Sequence, residues 1–185
     1  MIYNLSENVT DSQINEEIRI TKSNSSAMGA ALRKAHYYLG QKLSEVYKEY
    51  FSENDVVVCI MRAGLPFTYG FIDTLDCTCL FYDDKKDNTF FLDNKEILEN
   101  KNVIFIDAVI NTGKSLLETI KSSGLREENI KIVTNVLCDK AIESFNDYSL
   151  FTVRVSSNSF IGSKVKVQKD NKGPDTGDRL FRTLL

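Results

Sequence analysis

One carboxylate and one short polar turn carry most of the chemistry legible in this chain: Asp107, closing the apolar run Val103-Ile104-Phe105-Ile106, and Thr112-Gly113-Lys114-Ser115 just beyond it. Uncharged β-branched and aromatic residues in succession predict a buried parallel strand over Val103 to Asp107. Asp107 then falls at the carboxyl end of that strand, where open α/β sheets bind their ligands. The turn adds a residue without Cβ, two hydroxyls and free backbone N–H groups at the start of a helix predicted over Gly113 to Ser123. That combination suits a phosphate dianion.

Two phosphate motifs compete for this stretch. Residues 108–115 come close to the nucleoside-triphosphate loop Gly-x-x-x-x-Gly-Lys-[Ser/Thr], but Ala108 takes the first glycine position and Asp107 would set a carboxylate beside the triphosphate. The other motif makes Asp107 essential, accepting hydrogen bonds from a sugar diol while the following loop wraps the 5-phosphate of that sugar.

Three segments carry a family resemblance. Phe105-Ile106-Asp107-Ala108-Val109-Ile110-Asn111-Thr112-Gly113-Lys114-Ser115 resembles the phosphoribosyl diphosphate loop of type I phosphoribosyltransferases. Cys59-Ile60-Met61-Arg62-Ala63-Gly64-Leu65-Pro66 resembles their strand, Arg-Ala-Gly-Leu turn and helix. Gly173-Pro174-Asp175-Thr176-Gly177-Asp178-Arg179-Leu180-Phe181-Arg182-Thr183 resembles the carboxyl-terminal Gly-Asp-x-Gly-Asp-Arg-x-Phe-Gly-Thr of the uracil phosphoribosyltransferases. A weaker likeness covers Arg19 to Tyr47. The single acid before Ala108 also fits the uracil enzymes, where other type I members carry two acids.

The resemblance implies an α/β fold, a parallel twisted sheet flanked by helices, with a small hood and a mobile lid hairpin, in one domain over 1–185. The lid spans about 83–100 and the base-binding hood segment about 156–183. It implies transfer of the 5-phosphoribosyl group from phosphoribosyl diphosphate to uracil or a related pyrimidine, giving UMP and diphosphate in pyrimidine salvage. Mg2+ is the implied cofactor and a homodimer the implied assembly. Carried over position by position, Arg62, Asp107 and Asp175 are the catalytic residues. Arg62, Ala63, Gly64, Asp107, Ala108, Val109, Ile110, Asn111, Thr112, Gly113, Lys114, Ser115 and Asp175 bind phosphoribosyl diphosphate, and Pro174, Asp175 and Thr176 bind the base.

Two departures complicate this reading. Pro174 stands where the family has glycine and offers no N–H to a base carbonyl. Tyr82-Asp83 replaces a Tyr-Arg pair before the lid, leaving Lys85 or Lys86 to reach the diphosphate without the fork of a guanidinium. Lys114 either adds a cation to the phosphate or points to solvent. The alternatives are therefore a phosphoribosyl diphosphate or nucleotide-binding regulator of the same fold and, more remotely, a P-loop kinase.

The elements that must position these residues alternate. A long amphipathic helix is predicted from Ala27 to Tyr50 with Asn24-Ser25-Ser26 as its cap, then strand Asp55–Met61, helix Pro66–Leu75 and strand Cys77–Tyr82. A charged, aperiodic stretch and the short run Thr89 to Leu92 follow as the lid. Strand Ile130–Leu137, helix Lys140–Asn146 and strand Ser149–Val155 complete the alternation, and Ser156 to Thr176, with Lys164, Lys166, Lys169 and Lys172, reads as a loop over the site.

Composition sets mild bounds. A chain of 185 residues, 42% apolar and 26% charged, supports one full core, and a net charge of −3 gives no general attraction to nucleic acid or to an anionic membrane. No apolar run of membrane-spanning length and no secretory leader pattern occurs, so a cytoplasmic location is expected. Cys59, Cys77, Cys79 and Cys138 lack zinc-knuckle spacing and read as reduced thiols, with no protein metal-ligand set. The lone histidine, His36, reads as a helix-face residue, and no nucleophile triad is possible around it.

Overall fold

The computed structural model describes residues 1–83, 87–157 and 174–183. Six parallel strands form one sheet in the order β1-β6-β5-β4-β2-β3, namely β1 Ile2–Asn4, β2 Val56–Ile60, β3 Thr78–Tyr82, β4 Val103–Ile110, β5 Ile130–Cys138 and β6 Ser149–Ser156. Parallel strands need covered faces, and alternation along them supplies two cores. Val56, Val58, Val103 and Phe105 face one cluster with Leu116, Ile120 and Phe145. Val57, Ile104 and Ile106 face the other, with Leu39, Leu43, Phe67 and Phe71.

The helices on the second face are α1 Leu5–Asn8, α2 Ser12–Thr21, α3 Ala30–Val46 and α4 Leu65–Ile72. The α3 and α4 backbones touch at paired glycines: a Cβ on Gly40 would sit 2.1 Å from the Phe67 carbonyl oxygen, and one on Gly70 would sit 1.8 Å from that of Tyr37. At the amino end of the sheet Asp55, 2% exposed, accepts from Lys131 Nζ at 2.8 Å and from Asn102 Nδ2 at 3.2 Å. A buried carboxylate needs such company.

The strand order places the chain reversal between β2 and β4. The chain leaves β2 toward β3 on one side and returns to form β4 on the other. A crevice opens at such a switch point, at the carboxyl ends of the two strands. The Arg62 turn follows β2 and the Thr112-Gly113 turn follows β4, so the topology delivers both to one place.

Several expectations are corrected. The strand expected to stop at Asp107 runs on to Ile110, because Val109 and Ile110 keep pairing with Val136 and Leu137 of β5. Ala108 is therefore a buried strand residue, not the first position of a phosphate loop. The turn proper shrinks to Asn111–Gly113, too short for the nucleoside-triphosphate loop on which the kinase alternative rested. Helix α3 starts at Ala30, with Gly29 as its N-cap and no side-chain cap from 24–26. Residues 87–100 hold two helical turns, α5 Phe90–Asp93 and α6 Lys95–Leu98, in place of a lid hairpin. Asp139–Phe145 is a 3-10 turn rather than an α-helix. Lys85, Lys86 and the lysines of 164–172 lie outside the described residues. Helix α7, Lys114–Ser123, matches its expectation within a residue.

Candidate active site at the switch point

Asp107, Val109, Ile110, Asn111, Thr112, Gly113, Ser115 and Leu116 line a cavity of about 160 Å³ at the carboxyl end of β4. The acid and the turn that the sequence singled out thus share one space. Gly113 makes the turn possible: its φ is +76°, and a Cβ there would lie 2.5 Å from Phe145 Cε2. Only glycine adopts that backbone without cost. Lys114 resolves toward solvent, its side chain 81% exposed and its ammonium 3.9 Å from Glu118. What the turn itself offers to an anion is therefore backbone N–H groups and the hydroxyls of Thr112 and Ser115, not the Lys114 ammonium.

A second cavity, about 370 Å³, adjoins the first through Val109, Ile110 and Asn111 and extends across β5 and β6 to Val136, Cys138, Arg154 and Ser156. Thr21 at the end of α2, the loop Lys22 to Asn24 that follows it, and Thr176 close its far side. Register aligns Val109 with Val136 and Val136 with Arg154, so this cavity lies over neighbouring rungs of three strands.

Arg62 sits elsewhere in the crevice, in the turn after β2. Its Nη2 donates to Asp178 Oδ1 at 3.1 Å and to Thr183 Oγ1 at 3.0 Å, and its guanidinium lies 5.8 Å from the Phe181 ring. The backbone of that turn is partly engaged: Gly64 N–H donates to Ile60 C=O and Leu65 N–H to Arg62 C=O, both at 3.3 Å. Of the three residues expected to hold diphosphate, Arg62 and Ala63 have N–H groups with no backbone acceptor among the described residues.

The carboxyl-terminal motif folds into a short helix, α8 Thr176–Phe181. Asp175 is its N-cap, accepting from Asp178 N–H at 2.7 Å while Asp178 Oδ2 accepts from Asp175 N–H at 3.3 Å, a reciprocal capping box. The structure thus gives Asp175 a local structural task. Pro174 is buried, and of the three residues expected at the base only Thr176 lines the larger cavity. Arg179, 2% exposed, ties α8 to the loop before α3 through the carbonyls of Ser25 and Ala27 at 3.3 and 3.1 Å. Gly29 N–H returns a bond to the Arg179 carbonyl at 2.7 Å.

Arg154 was missed by the sequence reading. It is the lone cation in the β6 run Leu150-Phe151-Thr152-Val153-Arg154-Val155, and a charge inside a buried strand is the signal that marks it. Burial lowers its pKa from the ordinary value, and its Nε has no hydrogen-bond partner among the described residues. His36, fully buried behind the site, is pushed down to about 3 by desolvation first and then by the Arg179 and Arg154 guanidinium charges. The four cysteines are free thiols, and burial drives Cys59 and Cys79 up to about 12. No helix among the described residues is long and apolar enough to cross a membrane.

A parallel sheet with an acid, a glycine turn and a helix start gathered at its switch point defines an α/β protein whose ligand crevice lies at the carboxyl ends of its strands. Residues 32–170 match the model of the phosphoribosyl transferase domain, more than half of the chain, and the chain belongs to that family. It is 28% identical over 129 residues to the hypoxanthine-guanine phosphoribosyltransferase of Lactococcus lactis subsp. lactis (strain IL1403), covering 61% of this chain and 69% of that one. Solved structures share the fold. A protein from Neisseria gonorrhoeae with bound ppGpp superposes with a TM-score of 0.54 at 14% identity, over 66% of this chain and 80% of that one. The adenine phosphoribosyltransferase of Giardia lamblia complexed with 9-deazaadenine does so with 0.50 at 16% identity, over the same shares.

Proposed function

We propose that this chain transfers the 5-phosphoribosyl group of phosphoribosyl diphosphate to a ring nitrogen of a pyrimidine base, uracil or a relative of it. The bond from C1 to the diphosphate oxygen breaks, the bond from C1 to the ring nitrogen forms, and the ring N–H proton leaves to solvent. The observation that carries this reading is the shared cavity of Asp107 and the Asn111–Ser115 turn, adjoining a larger cavity with room for a ring. Asp107 would accept from the ribose hydroxyls, the turn would enclose the 5-phosphate, and Arg62 with the Ala63 amide would meet the diphosphate. Positioning and charge neutralisation supply most of such a reaction.

Magnesium fits as a partner of the substrate. No group of three or more acidic, histidine or cysteine side chains gathers among the described residues, so its oxygen ligands would come chiefly from phosphoribosyl diphosphate, with Asp107 as the hard protein donor in the cavity. When bound it neutralises charge on the departing diphosphate.

Support for a pyrimidine comes from the segment Gly173 to Thr183; support for a purine comes from the names of the Lactococcus and Giardia relatives. Incubation with magnesium, phosphoribosyl diphosphate and a panel of free bases, following diphosphate release, separates them. Release with a purine but with no pyrimidine overturns the proposed acceptor.

A nucleotide-binding regulator is the second reading, favoured by the engagement of Arg62 with Asp178 and Thr183. The ppGpp bound by the Neisseria protein gives it a precedent within the fold. It predicts a melting shift with phosphoribosyl diphosphate or a nucleotide and no diphosphate release with any base.

A further inference from the structure

We infer that the acceptor carries a ring carboxylate and that Arg154 is the residue that selects it. This rests on the phosphoribosyl-transfer reading above and names its substrate class. The larger cavity is lined by two cations, Lys22 and Arg154, and by no aspartate or glutamate among the described residues. The Arg154 Nε is buried and without a hydrogen-bond partner among those residues, and His36, close enough to feel the Arg154 charge, is kept neutral. The other guanidinium acting on His36, that of Arg179, is positive as well.

A half-buried guanidinium with a buried, unpartnered Nε and no acid among the described residues of its cavity is poorly compensated, and what offsets that cost best is a carboxylate, whose two oxygens match the guanidinium fork. A neutral ring carbonyl satisfies a donor but leaves the charge unbalanced. Position agrees with an acceptor substituent. Arg154 pairs with Val136, and Val136 with Val109 at the edge of the phosphate turn, so Arg154 lies two strand spacings, about 10 Å, across the sheet from that turn. A phosphoribosyl group held at Asp107 would extend its C1 toward this end of the cavity. The carboxylate takes no part in bond making. A pyrimidine ring nitrogen still loses its proton as the C1–N bond replaces the C1–O bond to diphosphate, whereas a pyridine nitrogen has no proton to lose and becomes a pyridinium.

The experiment compares uracil, uracil-5-carboxylate, uracil-6-carboxylate and pyridine-3-carboxylate as acceptors, with magnesium and phosphoribosyl diphosphate, in the wild-type chain and in Arg154→Gln and Arg154→Lys. At least one carboxylated ring should exceed uracil in kcat/KM by tenfold or more, through KM. Arg154→Gln should cut that ratio at least tenfold, and Arg154→Lys should restore part of it. A wild-type preference for uracil overturns the inference whatever the variants do, as does a ratio unchanged in folded Arg154→Gln. If no acceptor turns over, calorimetric titration of the carboxylated rings into the protein with phosphoribosyl diphosphate decides: absence of binding overturns it. A protein that shows no melting shift with phosphoribosyl diphosphate fails at the earlier step, and that result removes both readings together.

Discussion

The guanidinium of Arg62 and the carboxylate of Asp178, 116 residues apart in sequence, meet at 3.1 Å, and the same Asp178 oxygen accepts from Thr183 Oγ1 at 2.7 Å. The turn after β2 is therefore held by the carboxyl-terminal helix that the family resemblance assigned to the base. Arg62 is 47% exposed in its side chain, so this pair contributes little to stability, about 0–1 kcal/mol. Replacing Arg62 with Ala should lower the denaturation midpoint only slightly. It should raise the KM for phosphoribosyl diphosphate at least tenfold, read in diphosphate-release kinetics, if the guanidinium exchanges Asp178 for the leaving group. Near-normal KM would leave Arg62 as a structural clasp.

Asp107 is the sole carboxylate among the described residues lining the smaller cavity. An Asp107→Asn variant keeps the shape and removes the charge that strengthens bonds from a ribose diol. Hydrogen bonds to a charged group contribute about 1.5–3 kcal/mol, so affinity for phosphoribosyl diphosphate should fall roughly 10- to 150-fold. Isothermal titration with magnesium present measures it directly, and unaltered affinity would remove Asp107 from the sugar.

Asp107 and the glycine turn were legible because each breaks a pattern: an acid ends an apolar run, and Gly113 interrupts a strand-to-helix transition. Other features depend on partners distant in the chain. Helix α8 is six residues long, and Asp175-Thr176-Gly177-Asp178 reads equally as a turn until the capping box and the buried Arg179 make it helical. The two helical turns over Phe90–Leu98 have too few residues for a period to show, and Phe90 and Leu98 fold inward only because the sheet offers them a core. Helix α2 was readable in principle, since Asp11 caps it through Gln13 and Ile14 N–H and Ile14 and Ile18 recur one turn apart. Arg154 shows the opposite limit. Its oddity is visible in sequence, but only the register with Val136 and Val109 says that it faces the same cavity as the phosphate turn.

Gly113 offers a test of the turn itself. Its left-handed φ of +76° and the 2.5 Å approach of an added Cβ to Phe145 both oppose any side chain. The backbone penalty alone is about 1–2 kcal/mol, and Phe145, fully buried in the core under the turn, has little room to yield. Gly113→Ala should therefore destabilise the chain by about 1–3 kcal/mol in urea denaturation and weaken phosphoribosyl diphosphate binding more than tenfold. A variant as stable and as avid as the wild type would show that the turn reshapes freely.

Burial of His36 gives the fold a pH dependence on the acid side. Buried beside Arg179 and Arg154, it has its pKa lowered from 6.5 to about 3. A folded-state value below the unfolded one means that, as pH falls, the unfolded chain takes up the proton first, so stability declines from near pH 6.5 down to about 3 and is flat above pH 7. Between pH 7 and pH 5 the loss from this one group is about 2 kcal/mol. Urea unfolding of the wild type across that range should show the slope of a single proton. Unfolding of His36→Gln, which cannot titrate, should be flatter by that amount whatever its absolute stability, and equal slopes for the two proteins would mean that His36 takes up its proton alike in the folded and unfolded chain.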